Sequence, residues 1–303
     1  MAVSEPDSRW RRQDVMDEPG MGQDAAASAL AQPLRWLAFR GAELLLTDAG
    51  TLPAGDALSA LGCLPLRTQS LGVPADAGAG AGLPCQAAEL PADAEPPPGT
   101  RFTHLKRLND VLPDNLRRLA ARALELLEWD RAHQFCGACG SPTVQPGDAK
   151  VRRCTNPACG REHYPRVSPV VIVAVERGDE ILLGRSYHFA PGLYSTLAGF
   201  VDAGESAEEA IHREIAEEVA LRVRNVRYFA SQPWPFPHSL MLGFQAEYEA
   251  GDIVCAPDEI EHAGFFHVDA LPASLPSPST IAHWLLRDFC RRRGRPWPPQ
   301  EGG

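Results

Sequence analysis

The segment from Gly199 to Leu221 constrains the fold more than any other part of the chain, and it reads GFVDAGESAEEAIHREIAEEVAL. Ser206 followed by Glu209 forms a capping-box pattern, which predicts a helix over residues 207–219. Apolar residues recur at helical spacing in this helix and predict a core-facing side; they are Ala210, Ile211, Ile215 and Val219. The sequence therefore predicts a glycine-containing loop that leads into an amphipathic helix.

The same helix carries an acidic face. Glu214, Glu217 and Glu218 stand at positions i, i+3 and i+4, so their carboxylates share one side of the helix. The three carboxylates repel one another, and divalent cations bound between them would relieve this repulsion. Oxygen ligands suit Mg²⁺ or Mn²⁺. We expect Glu205 and Arg213 to pair across the loop–helix junction and to fix the loop above the metals. A solvated acidic helix face is the alternative.

Two cysteine pairs form a second motif. Cys136 and Cys139 are spaced C-x2-C, Cys154 and Cys159 are spaced C-x4-C, and a glycine follows each second cysteine. This pattern predicts a zinc ribbon with one Zn²⁺ per chain, and because four thiolates close the coordination sphere its role should be structural. Two unrelated cysteine pairs, or a redox pair, are the alternatives. The remaining cysteines are scattered and are interpreted as ordinary thiols; they are Cys63, Cys85, Cys255 and Cys290.

The rest of the chain predicts an α+β protein. Before the cysteines we expect a hairpin over 34–39 and 43–47, a long loop over 72–99, and a helix over 112–133 that Asp114 caps. After them we expect strands over 169–176, 180–184, 223–230, 239–250 and 263–268, and a closing helix over 279–292 that Ser279 or Thr280 caps. This order predicts a mixed sheet between helices.

Charge and hydropathy exclude some classes. The formal net charge of −10 disfavours a general nucleic-acid binder. No run of eighteen apolar residues is present, so no transmembrane helix and no membrane partner are expected. The first residues lack the apolar core of a signal peptide, which favours the cytoplasm.

The segment Ser231–Ser239 reads SQPWPFPHS. Prolines that alternate with Trp234 and Phe236 predict a stiff loop with aromatic surfaces, which suits the stacking of a flat base. An ordinary proline-rich turn whose aromatic residues fill the core is the alternative.

The loop–helix matches G-x5-E-x7-R-E-U-x-E-E, with U aliphatic, and there the chain resembles the Nudix hydrolases. The SQPWPFP-x-S segment behind a four-cysteine ribbon resembles their NADH pyrophosphatase subfamily. The resemblance implies a Nudix fold preceded by a zinc ribbon and a small degenerate Nudix-like α+β domain. The expected division is a disordered leader 1–30, an N-terminal Nudix-like domain 31–131, a ribbon 132–166 and a catalytic Nudix domain 167–295. The chain departs from the family at Ala220, where glycine is usual.

The resemblance implies metal-dependent hydrolysis of NAD(H) to AMP and NMN(H). It also implies removal of the NAD cap from RNA 5′ ends, which leaves a 5′-monophosphate, and a homodimer with sites near the interface. Two or three Mg²⁺ or Mn²⁺ ions are expected per site. Two alternatives remain: a Nudix hydrolase acting on ADP-ribose or dinucleoside polyphosphates, and a non-catalytic NAD or RNA sensor.

The family's site residues map onto this sequence as follows. The catalytic positions are Glu205, Arg213, Glu214, Glu217 and Glu218, with Glu218 as the base or as the residue that orients the water. The metal positions are the Ala198 carbonyl, Glu214, Glu217, Glu218 and Glu259, although Glu261 is close enough in sequence to be confused with Glu259. The substrate positions are Arg107, Tyr164, Phe200, Gln232, Pro233, Trp234, Pro235, Phe236, Pro237, His238, Ser239 and Ala282. Without the resemblance, core packing would be favoured for Tyr164 and Phe200.

Overall fold

A computed structural model describes residues 35–53, 61–73, 84–108 and 112–297. The predicted leader, 1–30, lies outside these ranges. The described chain contains a five-stranded, a three-stranded and a six-stranded sheet. No helix in the described ranges is long and apolar enough to cross a membrane.

The N-terminal part is a sheet covered by one long helix. Its elements are β1 (Arg35–Arg40), β2 (Glu43–Thr47), β3 (Arg67–Gly72), β4 (Cys85–Glu89), β5 (Thr100–His104), α1 (Leu105–Leu108) and α2 (Asp114–Ala132). The predicted hairpin is confirmed as β1 and β2, which pair antiparallel. The leucine stripe of α2, including Leu119 and Leu127, packs into the core of this sheet as its spacing predicts.

Two predictions for this part were wrong. The segment 72–99 is not one long loop, because it contains β4, which pairs in parallel with β1. The sequence of β4, CQAAE, lacks β-branched and aromatic residues, so burial between β3 and β1 rather than propensity makes it a strand. Asp114 does not cap α2: Pro113 occupies the N-cap position, and the Asp114 carboxylate accepts a hydrogen bond from Arg117 Nη2 at 2.8 Å.

The cysteine-rich part is a small antiparallel sheet of β6 (Thr143–Val144), β7 (Arg152–Cys154) and β8 (Glu162–His163). Arg152 joins it to α2. Its buried guanidinium pairs with the buried carboxylate of Asp130, and its Nε donates to Thr143 Oγ1 at 2.8 Å. Since breaking a buried ion pair leaves an uncompensated charge, this contact fixes the ribbon on the N-terminal domain.

The C-terminal part is a mixed sheet between two helices, as predicted. Its elements are β9 (Ser168–Arg177), β10 (Glu180–Ser186), β11 (Leu197–Phe200), α3 (Ala207–Val219), β12 (Arg222–Trp234), β13 (Ser239–Ala250), β14 (Ile260–His267) and α4 (Ile281–Arg292). Side chains of β9 alternate between the two faces: Val171 and Val173 pack with α3, whereas Ile172 and Ala174 pack with α4. Thr280, one of the two predicted caps, is the N-cap of α4.

The two large sheets share one topology. Their strand orders are β3-β4-β1-β2-β5 and β12-β13-β9-β10-β14, and in each sheet only the second and third strands of that order are parallel. This correspondence agrees with the expected degenerate relationship of the N-terminal domain to the catalytic one. The loop–helix segment formed by β11 and α3 has no counterpart among the described elements of the N-terminal sheet.

The segment 231–239 is a hairpin tip rather than a loop. Strand β12 runs on to Trp234 and β13 begins at Ser239, so only 235–238 form the turn. In the sequence, the prolines of this segment indicated a loop. Pro233 lies in β12, the edge strand of its sheet, which is where proline is tolerated within sheets.

Candidate active site

The acidic helix α3 begins and ends with defined caps. Ser206 Oγ accepts a hydrogen bond from the Glu209 backbone N–H at 3.2 Å, and the Ser206 N–H donates to Glu209 Oε2 at 2.7 Å, which completes the predicted capping box. The helix ends at Ala220 in the left-handed conformation, with φ 58° and ψ 25°. Ala220 thus adopts the left-handed turn for which the family usually has glycine.

Arg213 organises the loop above the helix. Its Nη2 and Nε bind the two carboxylate oxygens of Glu205 at 2.6 and 3.1 Å, so the predicted pair is present and bidentate. Its Nη1 donates to Glu214 at 2.9 Å and to Glu217 at 3.0 Å. Its Nη2 also donates to the Phe200 carbonyl at 2.9 Å. The guanidinium holds the pKa of the Glu205 carboxyl below its usual range.

Gly199 is required by the position of Glu214. A Cβ atom added at Gly199 would lie 1.8 Å from Glu214 Cδ, and real Cβ contacts never come this close. The carboxylate of Glu214 therefore lies directly against the backbone of β11. Any side chain at position 199 would displace it.

Glu218 lies at the buried end of the acidic face. It is 7% exposed, and its Oε2 has no hydrogen-bond partner among the described residues. Burial, followed by the charges of Glu214, Glu259 and Glu217, raises the pKa of Glu218 to about 8. An oxygen-rich cluster whose buried member lacks a partner fits a hard divalent cation.

The structure separates the two later glutamates. Glu259 influences Glu218 electrostatically and lines the same cavity. Glu261 instead pairs with Arg185 on β10. Glu259 is thus the one that joins the acidic cluster.

A cavity of about 580 Å³ opens beside Glu218. Of the predicted site residues, it is lined by Ala198, Glu218, Gln232, Trp234, Glu259 and Ala282. This volume lies within the range of small-molecule sites. The acidic cluster and a cavity large enough for a small molecule therefore meet at one place.

The four cysteines of the ribbon also converge. Their Sγ atoms all lie within 4.8 Å of one another, with Cys136–Cys159 at 3.8 Å and Cys139–Cys154 at 3.5 Å. Four sulfurs about 2.3 Å from a tetrahedral zinc lie about 3.8 Å apart, so the donor set fits Zn²⁺. The two shortest separations join different knuckles, as one shared ion requires. The ribbon is thus a structural zinc site.

Comparison with known proteins agrees with this arrangement. The sequence profile of the NADH pyrophosphatase-like rudimentary NUDIX domain matches residues 33–129, that of the NADH pyrophosphatase zinc ribbon domain matches 131–164, and that of the NUDIX domain matches 165–286. The NAD-capped RNA hydrolase NudC of Stutzerimonas stutzeri is 49% identical over 71% of this chain and 76% of its own. The NAD-capped RNA hydrolase NudC of Chromobacterium violaceum is 45% identical over 86% of this chain and 93% of its own.

The chain belongs to the NudC family of Nudix hydrolases. Among solved structures, a NUDIX hydrolase from Nitrosomonas europaea is similar at 24% identity, with a TM-score of 0.45, over 54% of this chain and 94% of its own. The predicted boundaries 31–131, 132–166 and 167–295 are not tested by these matches and stay predictions.

The aromatic residues that the NudC resemblance places around the base are on the surface. Tyr164 is 61% exposed and Phe200 is 57% exposed. The core packing that the sequence alone favours for them is therefore wrong in this chain. Arg107 is exposed on α1. None of the three lines the cavity in the described part of the chain.

The residues of the hairpin tip have different roles. Gln232 has a supporting function: its amide donates to the Ser279 carbonyl at 2.6 Å and accepts from the Ile281 N–H at 2.7 Å. Phe236 packs against the core of the N-terminal sheet, and His238 Nδ1 lies 3.1 Å from Ser168 Oγ. Within this NudC segment, Trp234 is the aromatic residue that faces the cavity.

Sequence reasoning missed several cavity residues. These are His188, Phe189, Thr196, Met241 and Asp258. Thr196 comes directly before the Leu-Ala-Gly of the Nudix loop, and Asp258 directly precedes Glu259, so their positions were a usable signal. Met241 and Phe189 are residue types that do not indicate a functional site, so only the fold could identify them.

Proposed function

We propose that this protein hydrolyses the pyrophosphate of NAD(H) to AMP and NMN(H), and removes the NAD cap from RNA to leave a 5′-monophosphate. The observation that carries the proposal is the orphaned, buried Oε2 of Glu218 at the wall of a 580 Å³ cavity. The names of the NudC relatives support the choice of substrate. The hairpin that carries Trp234 supports it too, since an aromatic wall suits a flat base.

The acidic cluster is where Mg²⁺ or Mn²⁺ would bind. Glu214, Glu217, Glu218 and Glu259, with the Ala198 carbonyl, offer the oxygen donors that these cations prefer. Bound there, two or three such ions would supply charge neutralisation at the pyrophosphate and an acidified water.

The protein's own groups supply positioning and proton transfer. Glu218 is buried and lines the cavity, so its carboxylate is placed to orient the attacking water and to accept its proton. Arg213 holds Glu205, Glu214 and Glu217 in fixed places, which keeps the oxygen cluster preorganised. The cavity provides the space in which the substrate would lie beside Glu218.

The remaining substrate residues and the oligomer are part of the same proposal. Tyr164 and Phe200 present exposed aromatic side chains that a flat base could stack on. We assign them to base stacking in a homodimer, as the resemblance implies, and we place the protein in the cytoplasm.

The test compares purified wild type with Glu218→Gln on NADH, NAD⁺, ADP-ribose and a short 5′-NAD-RNA, with Mg²⁺ or Mn²⁺. Glu208→Gln, an exposed change on the same helix, is the matched control. We expect AMP and NMNH from NADH, a loss of about 10²- to 10⁴-fold in Glu218→Gln, and no loss in the control. If ADP-ribose is turned over well and both nicotinamide substrates poorly, the proposed substrate is wrong.

A further inference from the structure

Thr196 holds a second orphaned polar atom at the cavity wall. Its side chain is 4% exposed, and its Oγ1 has no hydrogen-bond partner among the described residues. Buried hydroxyls are almost always hydrogen-bonded, because an unpaired one has lost its hydrogen bonds to water without gaining others in the protein. Among the described residues that line the cavity, only Glu218 and Thr196 carry such an atom.

Two other polar side chains of the cavity, those of Gln232 and Thr280, already have hydrogen-bond partners. Both ends of the Gln232 amide are bonded to the backbone at the start of α4. Thr280 Oγ1 donates to the Ser277 carbonyl at 2.8 Å and accepts from the His283 N–H at 3.3 Å. Apolar side chains also line the cavity, including Ile172 and Met241. Among the described residues, Thr196 is therefore the buried neutral side chain of the cavity whose polar atom has no hydrogen-bond partner.

We propose that the Thr196 hydroxyl is a specificity-determining residue that hydrogen-bonds the carboxamide of the nicotinamide half of the substrate. This inference rests on the proposed function. In an NAD-capped RNA the adenosine carries the RNA chain on its 3′ oxygen, so the half that can enter a cavity is the terminal nicotinamide nucleotide. A hydroxyl both donates and accepts, as a carboxamide does, and it carries no charge that would need compensation in an apolar wall.

The size of the expected effect follows from one neutral hydrogen bond. Thr196→Val keeps the shape of the side chain and removes the hydroxyl, so affinity for a nicotinamide nucleotide should fall about tenfold. Thr196→Ser keeps the hydroxyl and should stay close to wild type. AMP lacks the carboxamide and should bind both variants as it binds wild type.

The experiment is calorimetric titration of NMN and of AMP into the zinc-loaded protein without added Mg²⁺, for wild type, Thr196→Val and Thr196→Ser. The selective loss of NMN affinity in the valine variant, with recovery in the serine variant, is the expected result. Unchanged NMN affinity in Thr196→Val would overturn the inference. Equal losses for NMN and AMP would also overturn it, since they would show a merely structural role.

A kinetic readout separates this inference from the proposed function. The ratio of kcat/KM for NADH to that for ADP-ribose should fall in Thr196→Val by the same factor as NMN affinity. A wild type that does not cleave NADH refutes the proposed function, whereas an active wild type with an unchanged ratio in Thr196→Val refutes the role of Thr196 alone.

Discussion

Trp234 and Phe236 meet edge to face at 5.2 Å and face different parts of the protein. Trp234 lines the cavity, whereas Phe236 packs against the core of the N-terminal sheet. The Phe236 ring also stacks on His104 at 6.2 Å and lies under the Lys106 ammonium at 4.8 Å. One hairpin tip thus connects the N-terminal domain to the wall of the candidate active site.

Phe236→Ala should therefore alter substrate binding from outside the cavity. Loss of a half-buried ring should reduce the free energy of unfolding by about 1 to 2 kcal/mol and raise the KM for NADH, because Trp234 loses its support. Thermal unfolding and steady-state kinetics measure the two effects. Val254→Ala, at a side chain that is 65% exposed, is the control. An unchanged KM would mean that the N-terminal domain does not position this wall.

Gly199→Ala should remove activity by displacing Glu214. The new methyl would occupy the place of the Glu214 carboxyl carbon, and a shift of about 1 Å in a catalytic group costs about a hundredfold in rate. Steady-state kcat/KM for NADH is the measurement. Gly264→Ala is the matched control, because its added Cβ would meet its nearest atom at an ordinary 3.6 Å. Near-normal activity in Gly199→Ala would contradict the close packing of β11 on α3.

Cys154→Ser should destabilise the N-terminal part of the protein as well as the ribbon. A short three-stranded sheet has too little core to fold without its ion, and Arg152 ties it to Asp130 of α2. We expect loss of bound zinc, measured by metal analysis, and a lower Tm of the N-terminal part. Cys255→Ser, outside the cluster, is the control. Full zinc content and an unchanged Tm would refute the structural role of the site.

Glu125 should make stability depend on pH. Burial raises the pKa of its carboxyl from 4.5 to about 7, so the folded state binds this proton more tightly than the unfolded chain. The contribution of the Glu125 carboxyl to the free energy of unfolding is therefore largest below about pH 4.5, and it is lost as the pH rises to about 7. Glu125→Gln should be more stable than wild type above pH 7, whereas the exposed control Glu95→Gln should not. Chemical denaturation at a series of pH values decides this, and parallel curves for Glu125→Gln and wild type would contradict it.

Ala220→Gly should stabilise the protein by up to about 1 kcal/mol. Ala220 has φ 58°, a conformation that is strained for alanine and free for glycine, although glycine also gains entropy in the unfolded chain. The midpoint of urea unfolding measures the difference. A lower midpoint in the glycine variant would mean that the unfolded-state entropy outweighs the strain.

The sequence predicts best where chemistry depends on local spacing. The capping box, the Arg213–Glu205 pair and the four-cysteine cluster each follow from residues near in sequence, whose geometry a helix or a knuckle determines. In contrast, β4 and the packing of Phe236 depend on partners far along the chain. Their residue types gave either no signal, as in CQAAE, or a misleading one, as in the prolines of the hairpin tip.

The site shows the same division. The acidic face could be predicted because helical spacing alone places Glu214, Glu217 and Glu218 on one side of α3. Thr196 could not, since a threonine is unremarkable until its hydroxyl is found buried without a partner beside a cavity. Similarly, only the fold distinguishes Glu259 from Glu261, because Glu261 pairs with Arg185 whereas Glu259 lines the cavity.

The parallel pairing of β9 with β13 has a consequence for how the chain is made. Ser168 pairs with Ser239, so the central strand of the sheet leaves the ribosome well before its parallel partner. The sheet cannot close until the hairpin that carries Trp234 has been synthesised, because β13 follows directly from that hairpin. The N-terminal sheet and the ribbon, by contrast, have all their strands by then. All strands of the surface on which Phe236 packs are therefore synthesised before Phe236 itself.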